Sequence, residues 1–302
     1  MSTLLTGSAG FVGTALAASL VADSHHVVSM VRDRTKTPPG SAIVHGSVTD
    51  QDFCRRAIAD YEVDTIYHLA AQSIVSVCAE DPLAALEIAV MGTSRLLQAV
   101  RDVGRPCRVV VMTSDKVYGS APAPYIEATA LDARHAYEVS KACQDLTARM
   151  FRHNYGVDVT VVRAVNIYGP GDPNESRIVP KTCRRALRGE PPELHAGAGS
   201  MQRQYVYIDD MVEALRFIAM YGRDDAYCVG SCDAPMSVLE VMQGICRIAG
   251  VDWQTPAVRE RDGRFQEITA QAVDGSRLAA LGWAPTTTFD DGIRKTLDWY
   301  RG

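Results

Sequence analysis

Directly behind its first β-branched run, the chain places Gly7, Gly10 and Gly13 in the segment Thr6-Gly-Ser-Ala-Gly-Phe-Val-Gly13. Glycines at this spacing let a strand turn sharply into a helix, let the backbone approach a pyrophosphate, and let the helix pack close to its strand. Such a turn belongs at the carboxyl edge of a parallel sheet, with the helix N-terminus facing an anion. The first half of the chain agrees with that placement. Runs at Thr3 to Thr6, Val27 to Val31, Ala42 to His45, Thr65 to Leu69, Arg108 to Thr113 and Val157 to Arg163 read as strands, with helical patterns between nearly all of them. This alternation predicts an α/β fold, a Rossmann-type doubly wound parallel sheet covered on both faces.

The rhythm breaks after Arg163, where Tyr168-Gly-Pro-Gly-Asp-Pro173 and Gly189-Glu-Pro-Pro192 read as loops and a smaller C-terminal substrate-binding lobe is expected. Strand-like Gln204 to Ile208 and a helix from Asp209 to Tyr221 read as a return to the first lobe, so that the lobes interleave. The expected division is residues 1–165 and 205–230 for the dinucleotide-binding domain, and 166–204 and 231–302 for the lobe.

At 302 residues and 47% hydrophobic, the chain can bury a large core. A net charge of −5 without a lysine/arginine block argues against a nucleic-acid partner. Eight cysteines stand singly and no histidine joins Cys228 and Cys232, so a cytoplasmic protein with reduced thiols and no metal site is expected. No apolar run is read as approaching the roughly 20 residues of a membrane span, so no membrane partner is expected.

Tyr137 and Lys141 lie four residues apart, which on a helix stacks phenol and ammonium and is expected to depress the tyrosine pKa below its usual value of about 10. The same spacing arises by chance in many helices, as a packed tyrosine beside a solvated lysine. Context decides here, because Ser114 ends a strand on the rim that carries the glycine turn. On the same helix Val139, Cys143, Leu146 and Met150 are expected to pack. The apolar helix from Pro82 to Val103 suits either burial within one chain or a homodimer interface. At the end of the second strand Val31 stands where an acidic residue would hold a ribose hydroxyl. Arg32 and Arg34 tilt the cofactor toward NADP, Asp33 supports NAD, and both stay open.

With TGSAGFVG, Tyr67-His-Leu-Ala-Ala71, the TSDKVYG run from Thr113 to Gly119, Tyr137/Lys141, Asn166-Ile-Tyr-Gly-Pro170 and Arg203-Gln-Tyr-Val-Tyr-Ile-Asp-Asp210, the chain resembles the extended short-chain dehydrogenases/reductases of the NAD-dependent nucleotide-sugar epimerase/dehydratase family over essentially its whole length. Ser114-Asp115-Lys116 is similar to the 4,6-dehydratases, of the CDP-glucose or GDP-mannose type. The resemblance implies tightly bound NAD or NADP held by Gly7, Gly10, Phe11, Val12, Gly13, Arg32, Ser47, Val48, Leu69, Ala70 and Ala71, together with Tyr137 and Lys141. It implies a nucleotide-diphosphate hexose held by Gln72, Ser73, Asn166, Arg203 and Arg264. Catalysis would fall to Ser114, Asp115, Lys116, Tyr137 and Lys141: the phenolate takes the carbon-4 hydroxyl proton, Lys116 the carbon-5 hydrogen, and a protonated Asp115 assists departure of the carbon-6 hydroxyl. Ala89, Ser47 and Cys228 depart from the family pattern, where many relatives carry asparagine, aspartate and asparagine. The rival readings are a 4-epimerase or 4-oxidoreductase using the same tyrosine, and a non-catalytic NAD(P)-binding regulator.

Overall fold

A computed structural model of the chain describes residues 1–33, 38–253, 256–259 and 268–302. Its centre is a parallel sheet of β1 (Ser2–Thr6), β2 (His26–Val31), β3 (Ala42–His45), β4 (Thr65–His68), β5 (Arg108–Ser114), β6 (Val159–Ala164) and a last strand, Ala226–Val229. Its order runs from Ala226–Val229 through β6, β5, β4, β1 and β2 to β3, so the direction of winding reverses beside β1. Side chains alternate across the pleat: Leu4, Val28, Ile66, Val109 and Val111 enter one buried cluster, while Leu5, Val27, Tyr67 and Val110 enter the other. Two-sided burial is why these strands read as continuous apolar runs.

Helix α1 (Phe11–Ala22) joins the second cluster, and α2 (Gln51–Asp60), α5 (Thr93–Val103) and α6 (Ala136–Tyr155) cover the first. Between β4 and α5 lie α3 (Val75–Glu80), α4 (Pro82–Leu86) and a π-helical turn, Glu87–Gly92. By length and composition the 22 residues Pro82–Val103 are apolar enough to cross a membrane, which corrects the reading that no run approaches this size. Burial of Ala85, Ala89, Leu96, Leu97, Ala99 and Val100 in the protein supplies a reason for that apolarity.

After β6 the chain leaves the sheet and comes back through helix Ile208–Tyr221, which packs on α1 and β5, into Ala226–Val229, paired parallel with β6. Outside the sheet, helices Ile178–Leu187, Val238–Ala249 and Phe289–Arg301 pack on one another. Strand Gln202–Arg203 lies between Met236–Ser237 and Ala270–Gln271, setting Arg203 opposite Gln271.

The apolar stripe expected to pack on α6 is corrected by the structure. Leu146 is 53% and Met150 37% exposed, whereas Glu138, Ser140, Lys141, Gln144 and Asp145 are buried. The inward face carries these polar groups beside Ala142, Ala148 and Phe151, and exposed Leu83 and Met91 belong to α4 and the π-helical turn, which pack on α6.

Candidate active site

The glycine turn is formed as its spacing predicts. Gly7 has φ +71, and a Cβ there would lie 2.8 Å from the backbone of Leu69 and Ala70; at Gly13 a Cβ would lie 2.2 Å from the Gly7 carbonyl. Gly10 caps α1 without a side-chain hydrogen bond, and the first turn of α1 contains no acidic residue. The amides and the positive end of the helix are thus left to an external anion. Phe11, Val12 and Gly13 open α1, Arg32 follows β2, Ser47 and Val48 follow β3, and Leu69, Ala70, Ala71, Gln72 and Ser73 follow β4. All lie beyond the carboxyl ends of adjacent strands, beside the reversal of winding, where α/β sheets hold ligands. These features fit a dinucleotide. Arg34 and Arg264 lie outside the described residues.

Ser114 ends β5 and caps the short 3-10 turn Asp115–Tyr118, accepting the amide of Lys116 at 3.2 Å. Its hydroxyl donates to Asp115 Oδ1 at 3.0 Å, and it acts on Tyr137 to lower the phenol pKa. Asp115 is 2% exposed, and its Oδ2 has no hydrogen-bond partner among the described residues. Burial raises its pKa above the ordinary carboxylate range, against the opposing effects of Lys116, Ser114 and Arg203. A carboxyl so placed favours its protonated form. Lys116 is half-buried.

Two tethers fix α6 beside this turn. Glu138 accepts the backbone amides of Arg134 and His135 ahead of the helix, at 3.1 and 3.3 Å. Asp145 receives a bidentate pair from Arg163 of β6 at 2.7 and 2.9 Å, and Arg163 donates onward to the Tyr118 hydroxyl at 2.8 Å. Helix, strand and turn are thereby locked through one buried guanidinium.

The expected depression of the tyrosine pKa is corrected. Burial pushes the Tyr137 phenol up to about 12, with Ser114 lowering it and Asp115 raising it. Lys141 is itself pulled down to about 8 by burial. Desolvation therefore outweighs what an amine four residues away contributes.

Arg203 is 6% exposed and donates to the carbonyls of Gln202 and Thr269 at 2.8 and 3.4 Å. Its charge reaches Asp115 and Tyr125. Asn166 donates to the Gln204 carbonyl at 3.2 Å, Gln72 accepts the Ile74 amide at 3.2 Å, and Ser73 is exposed. Sequence reasoning missed Gln271, which is fully buried with neither amide atom hydrogen-bonded among the described residues. It also missed Arg177, which acts electrostatically on Tyr137, and Cys78, which acts on both Tyr137 and Lys141. Their only sequence signal was proximity to loops past the strands.

Sheet, turn and hydroxyl-phenol pair together define an α/β dinucleotide-binding protein equipped for chemistry on an alcohol. Residues 3–230 match the NAD dependent epimerase/dehydratase family, and the chain belongs to it. It is 30% identical to a dTDP-glucose 4,6-dehydratase of Xanthomonas campestris over 98% of this chain and 92% of that protein. The dTDP-glucose 4,6-dehydratase of Streptomyces venezuelae, solved with NAD and TDP bound, superposes with a TM-score of 0.89 at 30% identity, covering 100% of this chain and 97% of that one. The UDP-glucose 4-epimerase of Thermus thermophilus, solved with NAD, gives 0.89 at 29%, covering 100% and 99%.

Proposed function

We propose that the chain is a nucleotide-sugar 4,6-dehydratase, converting an NDP-hexose to an NDP-4-keto-6-deoxyhexose. The observation that carries this reading is Asp115: a buried carboxyl, pKa raised, one oxygen on Ser114 and the other unpartnered among the described residues. The similarity to dTDP-glucose 4,6-dehydratases supports it.

A bound nicotinamide dinucleotide would take the carbon-4 hydride and give it back at carbon 6, so that no second redox substrate is consumed. Tyr137, as the phenolate that a positively charged nicotinamide would favour against the effect of burial, receives the carbon-4 hydroxyl proton while Ser114 holds that oxygen. The resulting ketone acidifies the hydrogen at carbon 5, which Lys116 removes. Asp115 gives its proton to the departing carbon-6 hydroxyl, and water leaves. Arg203 serves the diphosphate, and Asn166, Gln72 and Ser73 serve the sugar side. Gln271 offers one donor and one acceptor to the hexose.

The cofactor is NAD in this reading: Asp33 follows Arg32 at the end of β2, and related structures carry NAD. That departs from the tilt toward NADP given by the arginine alone. Residues 1–165 and 205–230 serve the dinucleotide, and 166–204 and 231–302 the nucleotide sugar. The protein works as a cytoplasmic homodimer, and the exposed apolar residues Leu83, Met91, Leu146 and Met150 favour pairing of two copies.

Incubation with a panel of nucleotide hexoses should give a 4-keto product about 18 Da lighter, as acid-assisted loss of water requires. An isomer of unchanged mass would instead establish the 4-epimerase reading. The mass of the dinucleotide released on denaturation decides NAD against NADP, and sedimentation decides the assembly.

A further inference from the structure

Lys141 is buried against partners whose protons can all be assigned. Its Nζ donates to the Met112 carbonyl and to Gln144 Oε1, each at 3.0 Å. An ammonium has only donors, so Gln144 must face it with its carbonyl oxygen and turn its NH2 away. That NH2 donates to Thr93 Oγ1 at 3.1 Å. Thr93 gives its own proton to the Ala89 carbonyl at 2.6 Å, so its oxygen also accepts from His68 Nε2 at 2.9 Å. His68 therefore carries its proton on Nε2, and Nδ1 accepts from Thr6 Oγ1 at 2.7 Å. Thr6 in turn accepts the Ala70 amide at 3.2 Å.

Thr6, His68, Thr93 and Gln144 are all fully buried. Burial holds the imidazole neutral, its pKa lowered to about 3, so the donors that run from Ala70 through Thr6 and His68 meet those that run from Lys141 through Gln144 at Thr93, which accepts from both. The far end of this chain is the seat of the dinucleotide: Thr6 precedes Gly7, and Ala70 is the backbone against which Gly7 is packed. Its near end leaves Lys141 one N–H beyond these two bonds, with Tyr137 one turn earlier on α6.

We propose that Gln144 is a positioning residue for Lys141, with its amide orientation imposed by Thr93 and His68, and that this buried chain ties the glycine turn to the reactive lysine. The inference rests on the reading of the site as one that transfers hydride.

The titratable groups facing Lys141 are Cys78 from α3 and His68 from β4, with Tyr137 one turn earlier on α6. Lys141 sits at about 8 in the folded protein against an ordinary 10.5. Between these values the unfolded chain binds the extra proton, so ligand-free stability gains from Lys141 as pH climbs through this window. Thr93→Val keeps the shape but releases the amide, and its gain should begin at lower pH. Gln144→Glu sets a carboxylate against the ammonium and should abolish the gain, while Thr93→Ser should restore the wild-type curve. Gln144→Met, which also removes the acceptor, replaces Thr93→Val if that variant does not fold. In turnover, Thr93→Val and Gln144→Glu should lower kcat about tenfold with KM for the nucleotide hexose within about twofold, as expected for misplacement rather than lost binding.

Opposite displacements of the two pH–stability curves would support the proposal. Curves parallel to wild type, or displaced in the same direction, would overturn it. A wild type that removes no water from any nucleotide hexose would sink the dehydratase reading and leave these curves as they are.

Discussion

The hydroxyl of Ser114 donates to Oδ1 of Asp115 at 3.0 Å, while Oδ2 of the same carboxyl is buried and has no hydrogen-bond partner among the described residues. Ser114 also acts on Tyr137, so one residue bears on both the phenol proposed to take a proton and the carboxyl proposed to give one. The pair makes elimination, rather than simple oxidation, the chemistry to test.

Asp115→Asn keeps the size of the side chain and removes its acid. Loss of water should fall by about 10²–10⁴-fold, the usual contribution of a positioned general acid. The first hydride transfer, followed by absorbance of the reduced nicotinamide in a single turnover, should survive within about tenfold. Undiminished water loss by this variant would remove Asp115 from the mechanism.

The same substitution has a signature in stability. A carboxyl with a raised folded pKa gives stability that is fully present below its unfolded value of about 4 and lost as pH rises through the folded value. Ligand-free Asp115→Asn should therefore exceed wild type at pH 7 to 8 by about 1–3 kcal/mol, the scale of an uncompensated buried polar group. The advantage should disappear near pH 4 in urea titrations. A constant difference across pH would mean that folding does not raise the Asp115 pKa.

Gln271→Leu exchanges a buried amide that has no hydrogen-bond partner among the described residues for an apolar side chain of similar size. Stability should rise by about 1–3 kcal/mol, and KM for the nucleotide hexose should rise as well. Stabilisation without any change in KM would place Gln271 outside the sugar site.

Asp145→Ala leaves the Arg163 guanidinium buried without its carboxylate, which costs about 3–5 kcal/mol. Urea unfolding measures this directly. A loss under about 1 kcal/mol would show that the tether between α6, β6 and the 3-10 turn contributes little.

Gly7→Ala forces a Cβ into backbone at 2.8 Å in a left-handed conformation, which costs about 1–3 kcal/mol or displaces the turn. The variant should purify with far less dinucleotide than wild type. Equal retention would mean that this turn does not seat the cofactor.

The six early strands, the glycine turn and the placement of Ser114 on the carboxyl rim were legible because each is a local pattern. Alternating β-branched residues, a fixed glycine spacing and a turn beyond a strand carry their meaning within a few residues. The α6 stripe was legible as a periodicity but not in direction. Val139, Cys143, Leu146 and Met150 mark an apolar face, yet nothing in that spacing says whether the protein's own core or another surface covers it. Likewise Tyr137 and Lys141 were correctly paired on one helix, while the sign of the tyrosine shift was not, because burial is summed over neighbours from several elements.

By itself, then, the sequence determined the parallel sheet, the tight glycine turn behind its first strand and the hydroxyl-bearing residues set along its rim. Only the tertiary structure decided which carboxyl has its pKa raised by burial, which amide lies buried without a partner among the described residues, and which way Gln144 faces Lys141. Those properties depend on desolvation and on hydrogen-bond partners brought together from β1, β4, β5 and α6, and no local spacing encodes them.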